Sequence, residues 1–107
     1  MKNKGEQIEM VTHVVAWNFK PEVKEEDKKA LKADMKKNLE ALVGKVPGLL
    51  TVTFHEEPLP GSNREMCLVT THEEAADIAV YAKHPAHVCV ADTFVRPYTA
   101  DRTCVNF

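Results

Sequence analysis

Tyr81, His84 and His87 stand three residues apart in YAKHPAHVCVADTFVRPY, residues 81–98, an otherwise apolar and helix-friendly stretch. Histidine changes charge near neutral pH, so two of them beside a phenol are candidates for moving protons. Two histidines at this spacing are also half of a zinc site. The third reading is structural, because a histidine before a proline can cap a helix start. Residues three and four apart share one side of a helix; Tyr81 and His84 therefore point alike, and Pro85 disturbs the register before His87. A further histidine, His13, falls mid-strand among Val15, Trp17 and Phe19. If helices cover that face, His13 is a buried polar group that needs a partner. His87 is one candidate, in a hydrogen-bonded core pair or a shared site. His55 and His72 lie near strand ends beside Glu56 and Glu73 and read as surface. No acid or cysteine near His84 and His87 completes a set of three or four ligands, so neither a metal nor a cofactor is expected.

The elements that must position these groups can be read in order. VTHVVAWNF (11–19) alternates and is rich in β-branched and aromatic residues, as a half-buried strand is. Period two puts Val11, His13, Val15, Trp17 and Phe19 on one face. From Glu22 to Val43 the period lengthens: Leu31, Met35, Leu39 and Leu42 form one helical stripe, acids lead the segment, and Gly44, Pro47 and Gly48 stop it. Strands follow at 49–57 and 64–72, separated by the breaker PLPGSN. Alanine-rich, acid-led 73–82 is a helix. Pro85 opens a fresh helical turn to about Phe94, and DRTCVNF ends the chain as a short strand. The order β-α-β-β-α-β implies an α+β, ferredoxin-like domain: a four-stranded antiparallel sheet with both helices on one face. A pocket between helices and sheet would be lined by Val15, Trp17, Leu42 and His84.

At 107 residues one domain is expected, with residues 1–9 fraying and the domain spanning 10–107. A net charge of −2 gives no reason to expect nucleic acid or an anionic membrane. No apolar run approaches the ~20 residues of a membrane span, and MKNKGEQIEM lacks the apolar stretch of a signal peptide. Cys67, Cys89 and Cys104 are odd in number and widely spaced, so they read as reduced, buried thiols of a cytoplasmic protein. There is no glycine-rich phosphate loop, no GxSxG elbow and no RNA-binding strand signature.

THVV near the first strand's start, PGL entering the second, YxxHPAHV, and FVRPxxxDRxxVxF together resemble the stress-responsive α/β-barrel (Dabb) domain family over about 11–107. The resemblance implies a homodimer whose two sheets close into an α/β barrel, with Val14, Ala16, Leu49 and Thr51 on the sheet face that the partner covers. It also implies site residues. One plant member cyclises a linear polyketide by an intramolecular aldol step, using residues that correspond to His13, Tyr81 and His87. Where the family commonly has an aromatic residue, this chain has His72. The resemblance leaves activity unassigned: a small dimeric, stress-related or small-molecule-binding protein taking an apolar or carbonyl ligand. The alternatives are a cofactor-independent lyase or cyclase working by His/Tyr acid–base chemistry, and a cofactor-free monooxygenase.

Overall fold

The computed structural model describes residues 10–107; the segment 1–9, expected to fray, lies outside them. The chain runs β1 (Val11–Phe19), α1 (Lys28–Glu40), β2 (Leu49–His55), β3 (Met66–His72), α2 (Ala76–Lys83), α3 (Pro85–Val90) and β4 (Thr99–Asn106). Its four strands form one antiparallel sheet in the order β2-β3-β1-β4. This is the ferredoxin-like arrangement read from the element order. Among the described residues no helix is long and apolar enough to cross a membrane.

The alternation of β1 sets the two faces. His13, Val15, Trp17 and Phe19 are buried, while the residues between them are only partly covered. On β3, Met66, Leu68, Thr70 and His72 are buried in the same way. Met35 and Leu39 of α1 and Tyr81 of α2 pack onto this face, forming one core with Val15, Trp17 and Phe54. Burying a side chain such as Leu39 contributes roughly 1.5–3 kcal/mol, so this interlayer contact is the main force holding the helices down. Two carboxylates fix α1 laterally. Glu65 accepts from the Phe19 amide at 2.8 Å and from Lys28 at 2.8 Å, and Glu40 accepts from the Phe54 amide at 3.0 Å.

Several boundaries differ from the sequence expectation, each for a local reason. The first helix is shorter than 22–43: Glu25–Asp27 form a 3-10 turn, and beyond Glu40 the chain leaves the helix in turns that still bury Leu42. Strand β2 ends at His55, before the breaker reaches it. Strand β3 starts at Met66, because the Glu65 amide already bonds the Trp17 carbonyl and the Asn18 side chain. Residues 73–75 form a turn, in which the Glu73 amide bonds Gly48 and the Glu74 amide bonds the Asp77 carboxylate. After α3 the helix widens into a π turn, Ala91–Val95, and β4 begins earlier than expected, at Thr99. Leu49 is buried in the core rather than on the open face, since an irregularity at Leu50 separates its register from that of Thr51. The cysteines are free but not buried as expected. Cys67 is partly covered, Cys89 is exposed on short α3, and Cys104 is exposed on the edge strand β4.

Candidate active site

His13 lies in a polar row that crosses the sheet. Its register partners are Thr70 on β3 and Asn106 on β4, so all three face the helices. The Asn106 side-chain oxygen sits 2.6 Å from His13 Nδ1, and Cys104 Sγ lies 3.7 Å from the same nitrogen. With Asn106 presenting its carbonyl oxygen, Nδ1 carries the proton and Nε2 keeps its lone pair. The next rows, Val15 with Leu68 and Trp17 with Met66, are apolar. One end of the covered face is therefore chemical and the other is packing.

Above this row, α2 delivers Tyr81 and α3 delivers His87. Helix α2 ends at His84, whose backbone is extended (φ −64°, ψ 133°) as a residue before proline prefers. His84 Nδ1 accepts from the Ala86 amide at 3.1 Å, and Pro85 occupies the first turn of α3. That cap turns the chain so that His87 Nδ1 reaches back to the Ala82 carbonyl at 3.2 Å. A carbonyl can only accept, so Nδ1 holds the proton and His87 Nε2 is free to act as a base. The His87 ring lies against Tyr81, with centroids 4.2 Å apart. Burial pushes the His87 imidazole below its ordinary value, and Arg96, His13 and Arg102 add to this against the opposing pull of Ala82.

Tyr81 is 2% exposed, and its hydroxyl has no hydrogen-bond partner among the described residues. Burial pushes the phenol far up, so it remains a donor at any physiological pH. A second orphan stands beside it. His72 is fully buried, its Nε2 is 2.9 Å from Thr70 Oγ1, and its Nδ1 has no partner among the described residues. Its ring centroid lies 5.3 Å from Tyr81 and 6.3 Å from His13. Burial lowers its basicity, His13 lowers it further, and Asp77 opposes both. Reading His72 as surface was therefore wrong. The usable signal was parity: Met66 and Leu68 point inward, so Thr70 and His72 must also.

Beside them lies a cavity of about 760 Å³ between the sheet and α2–α3, which His72 itself does not line. His13, Tyr81 and His87 line it together with Val15 and Trp17. Two residues expected in the pocket lie elsewhere: Leu42 packs in the core below α1, and His84 is occupied as the cap of α3. Arg96, Asp101 and Arg102, which the sequence offers only as part of the family pattern, also line it, as does Asn106; cross-strand register and the turn after α3 bring them there. Among the described residues no group of three or more His, Cys, Asp or Glu side chains is arranged to hold a metal ion.

The family model for the stress responsive A/B barrel domain, Dabb, matches residues 11–107. The chain belongs to this family. A dimeric protein of unknown function with a ferredoxin-like fold, from Bacteroides fragilis, is 26% identical, with a TM-score of 0.82 over 92% of this chain and 94% of that one. A Dabb-family protein from Mesorhizobium loti is 18% identical, with a TM-score of 0.68 over 92% and 94% of the two chains. A hydroxynitrile lyase from Passiflora edulis is 17% identical, with a TM-score of 0.68 over 94% of each chain. The last two likenesses are of fold alone. No curated protein matches the chain.

Proposed function

We propose that this Dabb protein is a homodimer that binds a small, largely apolar molecule, with an oxygen of that molecule accepting from Tyr81. The observation that carries this reading is Tyr81, a residue that lines a cavity of about 760 Å³ and whose buried hydroxyl has no partner among the described residues. That volume lies in the range of small-molecule sites, and such sites combine apolar walls with a few convergent polar groups. The dimeric state of the Bacteroides fragilis protein supports the homodimer. Three free cysteines are consistent with a reducing, cytoplasmic setting. The stress-linked part of the reading rests on the family description alone.

Acetophenone, an apolar ketone of suitable size, is a direct probe. It should bind the wild-type protein by calorimetry, and Tyr81→Phe should weaken it roughly five- to tenfold, the value of one hydrogen bond. No binding, or equal binding by the two proteins, would remove the basis of this reading.

A second reading has its own observation, the unprotonated Nε2 that the Ala82 contact assigns to His87. In a cofactor-independent lyase or cyclase, Nε2 takes the proton α to a carbonyl while the Tyr81 hydroxyl donates to the oxygen on which enolate charge grows. His13, whose proton faces Asn106, then orients rather than donates. The lowered basicity of His87 keeps it in the free-base form. Exchange of the methyl protons of acetophenone in D₂O reads this step without knowledge of the natural substrate. Acceleration by the wild type that falls about 10²–10⁴-fold in His87→Gln, with fold and dimer intact, supports catalysis. Exchange no faster than in buffer leaves binding as the function. The monooxygenase alternative rests on likeness of fold, which many chemistries share.

A further inference from the structure

The cavity differs from end to end. Tyr81 and His13 are 2% and 7% exposed and mark its inner end, whereas Arg96, Asp101 and Arg102 are exposed and mark its mouth. Between them run Val15, Trp17, Leu39, Leu68 and Val95. Two guanidinium groups therefore stand against one carboxylate at the entrance to an apolar channel.

The position of Arg102 is built. Where β4 pairs with β1, Ala16 is opposite Thr103 and Asn18 is opposite Ala100, so Asp101 and Arg102 both fall opposite Trp17. This bulge needs Asp101 at φ 55°, a left-handed conformation that few residues other than glycine, asparagine and aspartate adopt readily. It is fastened on both sides. The Asp101 carboxylate accepts from Asn18 Nδ2 at 3.0 Å, and its carbonyl accepts from Arg64 Nε at 2.9 Å. The bulge thus occupies the Asp101 carboxylate with a neutral amide and brings the neighbouring guanidinium to the cavity. Arg96 follows the π turn and pairs with Asp92, four residues earlier, which does not line the cavity. A guanidinium has five donors, so this pairing leaves Arg96 able to bind more. Both cations are felt inside, since each lowers the basicity of His87.

We infer that the cavity selects an apolar acid, whose carboxylate is held at the mouth by Arg102 with Arg96 beside it, and whose far end carries the oxygen that Tyr81 meets. This inference rests on the binding reading above and adds the charge class of the ligand. Geometry favours a carboxylate, because a planar guanidinium matches its two oxygens with two parallel hydrogen bonds.

Three probes that differ at one group separate the two ideas: acetophenone, 4-acetylbenzoate and 4-acetylbenzamide. The expected result is that the carboxylate binds at least about tenfold more tightly than the amide, because a charge-assisted bond is stronger than a neutral one. Arg102→Gln removes most of that preference, read as the ratio of carboxylate to amide affinity within the one protein, and Arg102→Lys keeps part of it. Salt at 0.5 M narrows the preference in the wild type, since the mouth is open to solvent. If acetophenone binds in a Tyr81-dependent way but carboxylate and amide bind alike, the anion inference fails and the binding reading stands. A carboxylate preference that survives in Arg102→Gln also overturns it. If none of the three binds, both fail.

Discussion

His72 carries a fully buried imidazole with one nitrogen satisfied and the other without a partner among the described residues. Together with His87 it makes folding sensitive to acid. Both imidazoles have folded values below the ordinary one, chiefly through burial. The unfolded chain takes up protons near pH 6.5, before the folded protein does, so acid favours unfolding. The contribution to stability is complete above that pH and is lost as pH falls through the folded values. The urea midpoint should therefore be lower at pH 5 than at pH 8, and His72→Phe should narrow the gap without closing it, because His87 remains. An unchanged gap in His72→Phe would mean that His72 does not titrate in this range. Tyr81 poses the complementary case. A buried hydroxyl without a protein partner adds a desolvation cost of about 1–3 kcal/mol. Tyr81→Phe should therefore melt at the same temperature or higher while losing affinity for the ketone, the trade expected of a group kept for binding. A clear drop in melting temperature would show that the hydroxyl is held by the fold after all.

At the scale of elements, the tightest constraint on the site lies outside it, where the loop before β2 meets the start of α2. Gly48 has φ 79°, its carbonyl accepts from the Glu73 amide, and a Cβ at this position would collide with the Asp77 carboxylate. That carboxylate also holds the Glu74 amide at 3.1 Å, so displacing it loosens the turn that aims α2 and Tyr81. Gly61 shares the left-handed backbone, at φ 97°, but faces open space. Gly61→Ala should cost about 1 kcal/mol, the conformational penalty alone, and Gly48→Ala clearly more, measured by urea unfolding. Equal costs would mean that Asp77 simply swings aside. The sequence announces this glycine as a stop signal and says nothing of Asp77. The same division runs through the whole site. Alternation placed His13, Val15 and Trp17 on the covered face, and His84-Pro85 announced the break between α2 and α3, because both are short-range effects written in neighbouring residues. His72 was misread because a polar strand end looks alike whether it faces water or a helix. Asn106, Arg96 and Arg102 could not be placed, since a cross-strand register, a bulge and a π turn decide where they point. Leu49 was assigned to the wrong face for the same reason, a one-residue irregularity that spacing does not reveal.

For the whole molecule, the open face of the sheet remains. Val14 pairs with Val69 on one side and Val105 on the other, and the Phe107 backbone pairs with Thr12, extending the strip. Val105 and Phe107 are 60% and 73% exposed. A sheet with helices on one side only must solvate or cover its other side, and this one is flanked by the edge strands β2 and β4. A contiguous valine strip is better suited to a second copy than to water. The site faces the opposite side of the same sheet, so a substitution in the strip alters no side chain of the site. Val14→Lys puts a charge in the middle of the strip and leaves every cavity-lining residue in place. The wild type should sediment at twice the mass of the chain, and Val14→Lys at the single mass with a lower melting temperature. Val105→Lys, at the more exposed edge, should weaken the dimer less and keep the monomer folded if Val14→Lys proves too disruptive. Because β1 carries Val14 outward and His13 and Val15 inward, loss of the dimer should loosen the strand that floors the cavity. Acetophenone affinity should then fall with protein concentration in the weakened dimer and stay constant in the wild type. A wild type that sediments as a monomer, or a Val14→Lys protein that remains dimeric, would place the contact elsewhere.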